Sequence, residues 1–459
     1  MSSSAATGHR TILFVATVAS FLTPFMGSAI NVALPPIAAE FGADAILLSW
    51  VATGYLLAAG VFLLPFGRLA DIHGRKRVFL WGIANYSASS LLSALAPSIG
   101  WLIAARIWQG IGGSMIFGTG VAIVTSVFPA QERGRALGII VAAVYAGLSL
   151  GPFAGGFLTH QLGWRSIFFL NVILGLVPLA LMLALVRGEW AEARGESFDL
   201  AGSGIYGFSL VTLMYGVSRL PGNSGVFLIT AGILGVAAFV FWELRVAHPV
   251  LNIGLFRRST VFAMSNLAAL INYSATFGVT FMMSLYLQYI KGLTPQGAGV
   301  VLIAQPVMMT IISPIAGRLS DRIESRVVAS IGMACSCAAL AILATLVDGT
   351  PIGLLVGCLM LNGIGFGLFS SPNTNAVMSA VEKKYYGVAS ATVGTMRLTG
   401  QMLSMGVTTL VLALFIGRAA ITDANHAEFI HSVRLTLTIF AVLCLAGIFV
   451  SLARGKTHD

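Results

Sequence analysis

Two arginines, Arg106 and Arg397, stand inside long apolar runs. An arginine within a bilayer-spanning segment costs at least ~2.5–3.5 kcal/mol on insertion scales, so it faces protein partners or a water-filled cavity. Arg106 shares a helix face with Gln109, and Arg397 with Gln401, so each pair makes a polar patch. Further polar residues in such runs are Asn31, Tyr145, Asn171, Asn266, Asn272, Gln288, Gln305, Asn362, Asn373 and Asn375. Taken singly, each is best used as an interhelical hydrogen bond. Together they describe a polar-lined central cavity for a small molecule. Its candidate substrate residues are Asn31, Arg106, Gln109, Tyr145, Asn272, Gln288, Gln305, Asn362, Arg397 and Gln401. Met282, Met283, Met308, Met309 and Met396 would give that cavity adaptable apolar walls, or simply face lipid.

Reaction chemistry is missing. There is no H-E-x-x-H, no paired intramembrane Asp, no strand-to-helix elbow of the G-x-S-x-G type and no G-x-x-x-x-G-K-[ST] loop. We therefore expect no catalytic residue, no metal site, no resident cofactor and no ATP-driven step, and the chain does not read as an enzyme. Cys335, Cys337, Cys358 and Cys444 all lie in apolar runs without metal-like or redox-like spacing.

The elements that must carry these residues follow from composition. Of 459 residues only 26 are Lys or Arg and 16 Asp or Glu, so 9% are charged, against about 25% in soluble chains. So few charges cannot cover a water-facing surface; this is an integral membrane protein whose first partner is the lipid bilayer. The net charge of +10 is scattered between apolar segments, not gathered on one face, which excludes a nucleic-acid partner. Fourteen stretches are long and apolar enough to span: roughly 11–34, 45–66, 78–97, 101–128, 136–158, 164–187, 200–218, 225–243, 260–290, 296–317, 326–346, 351–376, 387–416 and 432–453. With the N-terminus inside, 19 basic residues fall at cytoplasmic ends and loops and 5 opposite. That split places both termini in the cytoplasm of a plasma-membrane protein.

The loop after the second span reads GRLADIHGRKR (Gly67–Arg77) and that after the tenth GRLSDRIESR (Gly317–Arg326). A motif repeated 250 residues apart points to two related six-helix bundles. The expected domains are an N-terminal bundle over 1–187, a cytoplasmic linker with two extra helices over 188–258, and a C-terminal bundle over 259–459.

At this point the chain resembles the major facilitator superfamily, and within it the fourteen-helix drug:proton antiporter branch. GRLADIHGRKR is similar to the family's loop signature, and Arg106-Ile-Trp-Gln109-Gly110-Ile-Gly112 to its fourth-helix motif. Gly147-x-x-x-Gly151-Pro152-x-x-Gly155-Gly156 resembles the fifth-helix motif of exporters. INVALPP (30–36), WRSIFFLNVILG (164–175) and FDLAG (198–202) resemble segments of that branch. The resemblance covers essentially the whole chain. It implies an all-α membrane protein of the major facilitator fold: two six-helix bundles plus two extra central helices, fourteen in all. The implied activity is export of small amphiphilic molecules by alternating access, as in multidrug efflux, by a monomer with the proton as coupling ion.

The resemblance also implies gating roles for Gly67, Arg68, Asp71, Arg75, Arg133, Gly317 and Asp321. Asp71 would face the N-terminal end of the thirteenth span and an Arg at the cytoplasmic end of the fourth, Arg133 or Arg135. Gly147, Gly151, Pro152, Gly155 and Gly156 would form a close-packed, bendable helix seam.

One position departs from the branch. Where its first helix usually carries an Asp, a few residues before INVALP, this chain has Met26, and none of its 16 acids falls well inside a span. The sequence therefore leaves three accounts open: coupling through an end-of-helix acid, a facilitator or importer of a neutral or anionic solute, and a membrane sensor or scaffold that does not transport.

Overall fold

The computed structural model describes residues 3–128, 130–186, 188–191, 193–220, 222–247, 249–251, 253–320, 323–381, 386–417, 421–422 and 425–455, without the side chains at 3–9, 125, 130–135, 137–138, 141, 217–218, 386–388 and 390–391. A chain in lipid has no water to satisfy its backbone, so each span closes its own hydrogen bonds as a helix. The first half contains α1 (Ser3–Phe41), α2 (Ala45–His73), α3 (Arg75–Ala94), α4 (Ile99–Val127), α5 (Ala130–Leu162) and α6 (Arg165–Leu185). Next come α7 (Leu200–Ser218), α8 (Asn223–Glu243) and the short α9 (Gly254–Arg258). The second half contains α10 (Thr260–Leu285), extended by a π-helical turn (Tyr286–Ile290), then α11 (Pro295–Leu302), α12 (Ala304–Ser320), α13 (Ser325–Leu343), α14 (Ile352–Ser379), α15 (Tyr386–Phe415) and α16 (His426–Leu452).

Short polar side chains start several of these helices. Asp44, Ser98, Ser259 and Thr294 each accept a hydrogen bond from a backbone N–H in the first turn of α2, α4, α10 and α11. In α11 the Pro at its start adds a preset backbone angle.

Twelve helices among the described residues are long and apolar enough to cross a membrane. The expected third and seventh spans, α3 and α7, are helices but are not among the twelve. α3 opens on Arg-Lys-Arg and carries Asn85, Tyr86 and four serines, and the described side chains of α7 stop at Gly216. The expected tenth span is two pieces, α11 and α12, joined at Ile303. Across the joint the backbone bonds Ile303 N–H to Gly299 O and Val307 N–H to Ile303 O, both 3.1 Å, persist.

Each half repeats one packing scheme. In the first, α1 packs on α5, α2 on α4, and α3 on α4 and α6; in the second, α10 packs on α15, α12 on α14, and α13 on α14 and α16. Glycines make the closest approaches at matching places. A Cβ on Gly147 would lie 2.6 Å from Phe21 O, and one on Gly400 2.6 Å from Leu270 O. Gly82 and Gly112 meet backbone to backbone, as do Gly332 and Gly365. A Cβ on Gly110 would strike Tyr55 O, and one on Gly363 would strike Gln305 O. Only a residue without Cβ fits such contacts. α7 pairs with α8 and lies against both α2 and α15, so the insert touches both halves.

The bundle has two faces. The terminal face holds the α2–α3 loop and the end of α16; the far face holds the opposite helix ends. α2 and α15 run antiparallel between them, with Ser49 bonded to Thr409 near the far face and Leu63 beside Gly394 toward the terminal face.

Candidate functional site: two polar layers, a glycine seam and a strapped loop

The matched glycine contacts put Tyr55, Arg106 and Gln109 in the first half opposite Gln305, Leu359 and Asn362 in the second, since Gly110 and Gly363 each follow the third member directly. In the first trio Arg106 and Gln109 are bonded. Arg106, 1% exposed, donates from Nε to Val51 O at 3.0 Å and from Nη1 to Gln109 Oε1, and its guanidinium lies 4.5 Å from the Tyr55 ring centre. Gln109 Nε2 donates to Ser90 Oγ at 2.6 Å. Arg106 thus ties α2, α3 and α4 together, and its charge is held by dipoles and an aromatic face.

The second trio is not bonded. Asn362 is fully buried, and among the described residues neither of its amide atoms has a hydrogen-bond partner. Gln305 Oε1 and both amide atoms of Asn272 on α10 share that condition. A buried unmet amide costs about 1–3 kcal/mol, so three in one bundle stand ready for a polar guest.

Where the halves meet, Arg397 of α15 lies 5.6 Å from the Phe117 ring of α4 and 5.5 Å from the Tyr273 ring of α10. Tyr145 OH donates to Ser370 Oγ at 3.3 Å, and Ser149 and Thr310 share a 3.2 Å hydrogen bond. Gln401, one turn from Arg397, is buried. Toward the far face Ser284 Oγ donates to Asn31 O at 2.6 Å and Gln288 Nε2 to Val32 O at 3.2 Å. There α5 and α11 touch through backbone: a Cβ on Gly156 would lie 2.6 Å from Pro295 O, and one on Gly299 would strike Pro152 O.

The expected seam is the α1–α5 contact. Gly147 lies against Phe21 and Phe25, Gly151 against Phe25 O and the Ser28 hydroxyl, and Gly155 against Ala29, whose Cα would be 2.8 Å from a new Cβ. The second half has Gly400, Ser404 and Thr408 at the same four-residue spacing on α15. There the glycine has changed helices: Gly278 of α10 faces Thr408 and donates its N–H to Ser404 Oγ at 2.9 Å.

At the terminal face Asp71 pairs with Arg75, Nη2 to Oδ1 at 2.7 Å, and Arg75 Nη1 donates to Ser126 Oγ at the end of α4, 2.5 Å away. The fourth helix is reached through Arg75 and a serine. The Arg133 and Arg135 side chains and all of Asp321 lie outside the described residues. Gly317 packs beside Ser371, while Gly67 has open space around its Cβ position.

The linker after α6 straps this loop. Glu189 accepts from the backbone N–H of Lys76 at 2.7 Å and Arg77 at 3.1 Å, a carboxylate at the N-terminus of α3. Trp190 O accepts from Arg75 N, Ala193 N donates to Asp71 O, and Arg68 pairs with Glu196. Gly74 turns the chain here with φ +118°, and a Cβ on it would collide with the Glu189 carboxyl. The strap was not visible in the sequence, where the segment read only as a cytoplasmic linker.

Arg454 was missed as well. It looked like a terminal cytoplasmic charge, yet it is fully buried and donates to Asn373 Oδ1 at 3.0 Å, Ser265 Oγ at 3.4 Å and the Ser451 hydroxyl. Burial pushes its guanidinium down to about 10. A cavity of about 210 Å³ lies between the far-face ends of α13 and α14, lined by Leu343, Thr350, Leu355 and Cys358 among others, and includes none of the expected substrate residues.

Two repeated helical bundles joined across a polar interface define a membrane transporter fold, and comparison with known proteins gives its family. Residues 16–264 and 265–458 match the Major Facilitator Superfamily, so the chain belongs to it. It is 34% identical to the multidrug resistance protein Stp of Mycobacterium tuberculosis, over 84% of this chain and 73% of that one. It is 32% identical to the cephamycin export protein CmcT of Amycolatopsis lactamdurans, over 97% and 93%. To the riboflavin transporter RibZ of Clostridioides difficile it is 28% identical, over 98% of both. Among solved structures, a bacterial homologue of the human lysosomal transporter Spinster in an inward-facing, unoccupied conformation superposes with a TM-score of 0.69 at 14% identity, covering 97% of this chain and 96% of that one.

Proposed function

We propose that this protein is a fourteen-helix exporter of small amphiphilic molecules. In this reading α3 and α7 also cross the bilayer, and the chain works as a monomer in the plasma membrane with both termini in the cytoplasm. The halves rock against each other across the α2–α15 and α5–α11 contacts, each bundle held together by its own α1–α5 or α10–α15 seam, and the proton is the coupling ion. The observation that carries the reading is the α1–α5 glycine seam, packed backbone to backbone beside an interface that already joins the halves on the far face. The named exporters among the relatives support it.

The substrate is held by the unmet amides of Asn272, Gln305 and Asn362 on one side and the Arg397–Phe117–Tyr273 group on the other. Arg106 and the half-buried Arg397 are cations without an acid beside them among the described residues, so a lipophilic dication is poorly matched. The unmet amides favour a second reading, movement of a neutral polar solute without proton coupling, which has its counterpart in the riboflavin transporter among the relatives.

Purified protein in liposomes with an imposed pH gradient and a trapped pH dye separates these. Cationic, neutral and anionic amphiphiles are added in turn. Ligand-dependent collapse of the gradient supports coupled export and gives the charge class. Equilibration of labelled ligand without proton movement supports the second reading. Absence of both sinks the transport assignment.

A further inference from the structure

The α7–α8 hairpin carries two carboxylates that neither the loop nor the polar layers use. Asp199 caps α7: Oδ1 accepts from Gly202 N at 2.8 Å, and its backbone oxygen accepts from Ser203 N at 3.1 Å. Trp242 on α8 donates its indole N–H to both Asp199 oxygens, at 3.2 and 3.1 Å. The next residue, Glu243, is only 3% exposed, and its Oε2 accepts from Leu251 N at 2.9 Å. Its Oε1 is buried, and among the described residues no donor reaches it.

Both carboxylates flank one glycine. A Cβ on Gly202 would strike Asp199 Oδ2 and lie 2.8 Å from Glu243 Oε1. Among the described residues no cation pairs with either, and the Val250 backbone, beside that of Leu251, is the further donor near Glu243. The charge acting on Glu243 among the described residues is that of Asp199. Arg245, two residues on, lies over the Phe241 ring at 3.8 Å. Glu196 of the linker is paired with Arg68. From α2 comes the carbonyl of Gly60, which accepts from Tyr206 OH, and from α15 the hydroxyl of Thr399, also on Tyr206.

Two ionised carboxylates this close repel each other, and a buried oxygen with no donor has lost its hydration without replacement. One proton relieves both. We propose that Asp199 and Glu243 hold a single proton between them, carried on Glu243 Oε1, and that the α7–α8 hairpin is a proton-binding site on the terminal face. The O–H so formed donates toward Asp199. Release of that proton leaves two negative charges at the base of the hairpin. Because α7 lies against α2 and α15, repulsion at its base loosens the packing that joins the halves. Only this last consequence rests on the transporter reading.

Infrared difference spectroscopy of purified protein between acid and alkaline buffer tests the site directly. A protonated-carboxyl band is expected in the wild type, absent in Glu243→Gln and displaced in Asp199→Asn. An unchanged band in Glu243→Gln overturns the proposal. Should that variant fail to fold, an undisplaced band in Asp199→Asn overturns it equally.

A second arm measures ligand flux in liposomes with equal pH on both sides. Flux that varies with pH in the wild type and is flat in Glu243→Gln, at the wild type's acid-side value, supports a proton that acts on transport. Matching pH profiles overturn that consequence. No flux from any protein sinks the transporter reading, while the infrared arm still decides the proton site.

Discussion

The two halves share a skeleton and differ in what fills it. Around Gly110 the first half closes a network of Arg106, Gln109, Ser90, Tyr55 and the Val51 carbonyl. Around Gly363 the second half has Leu359 where Arg106 would be, and leaves Asn362 and Gln305 with unmet polar atoms. Duplicated backbone contacts thus coexist with divided labour. At this layer the first half bonds its polar groups to one another and the second leaves them unmet, although elsewhere the first half has unmet atoms too, Asn85 Oδ1 and Asn171 Oδ1 among them. The seams differ too, with three glycines on α5 in the first, and in the second Gly400 alone on α15 with Gly278 facing it from α10 further along.

The sharpest break is at the loop that is strapped in the first half. Asp71→Asn removes the Arg75 pair and is expected to abolish ligand flux while the purified protein stays monodisperse; normal flux would take the gate away from this loop. Next in size are the layers. Arg106→Leu copies the second half's residue into the first and strands Gln109 and the Val51 carbonyl, costing about 2–4 kcal/mol of stability. Asn362→Leu strands nothing, so its stability is expected to hold or rise by about 1 kcal/mol while ligand binding weakens. Thermal unfolding and ligand binding in detergent read both, and equal destabilisation by the two would erase the contrast.

The seams give the smallest effects. Gly155→Ala drives a methyl into Ala29 and is expected to cost about 1–3 kcal/mol. Thr408→Ala removes only a hydroxyl that donates to the Ser404 carbonyl one turn back and is expected to change stability by less than about 1 kcal/mol. If Thr408→Ala proves the costlier, the second seam is held by its hydroxyls and not by close approach.

Much of this was legible before any coordinates. Run length and charge placement gave the helices, because a bilayer imposes both. The repeated Gly-Arg-Leu-x-Asp motif gave the two halves. The small-residue face of α5 was legible because its glycines lie on one helix at fixed spacing; that α1 packs on it was not.

What stayed hidden depends on residues that only packing brings together. The correspondence of Arg106 with Leu359 is invisible by residue type. The offset is also uneven, 250 residues for Tyr55 and Gln305 but 253 for Gly110 and Gly363. Arg454 gave no sign that three helix ends would bury it. Asp199 and Glu243 stand at opposite ends of a hairpin in sequence and at one end of it in space. α3, expected as the third span, is less apolar than the twelve because it opens on Arg-Lys-Arg and carries four serines, three of which bond to carbonyls one turn back.

The joint at Ile303 has a mechanical consequence. The eight residues of α11 ride on α5, a helix of the other half, while α12 continues on α14 of its own half. Because the helical hydrogen bonds run on through Ile303, the two pieces act as one push-rod that bears on the first half at its far-face end and on the second half along the rest of its length.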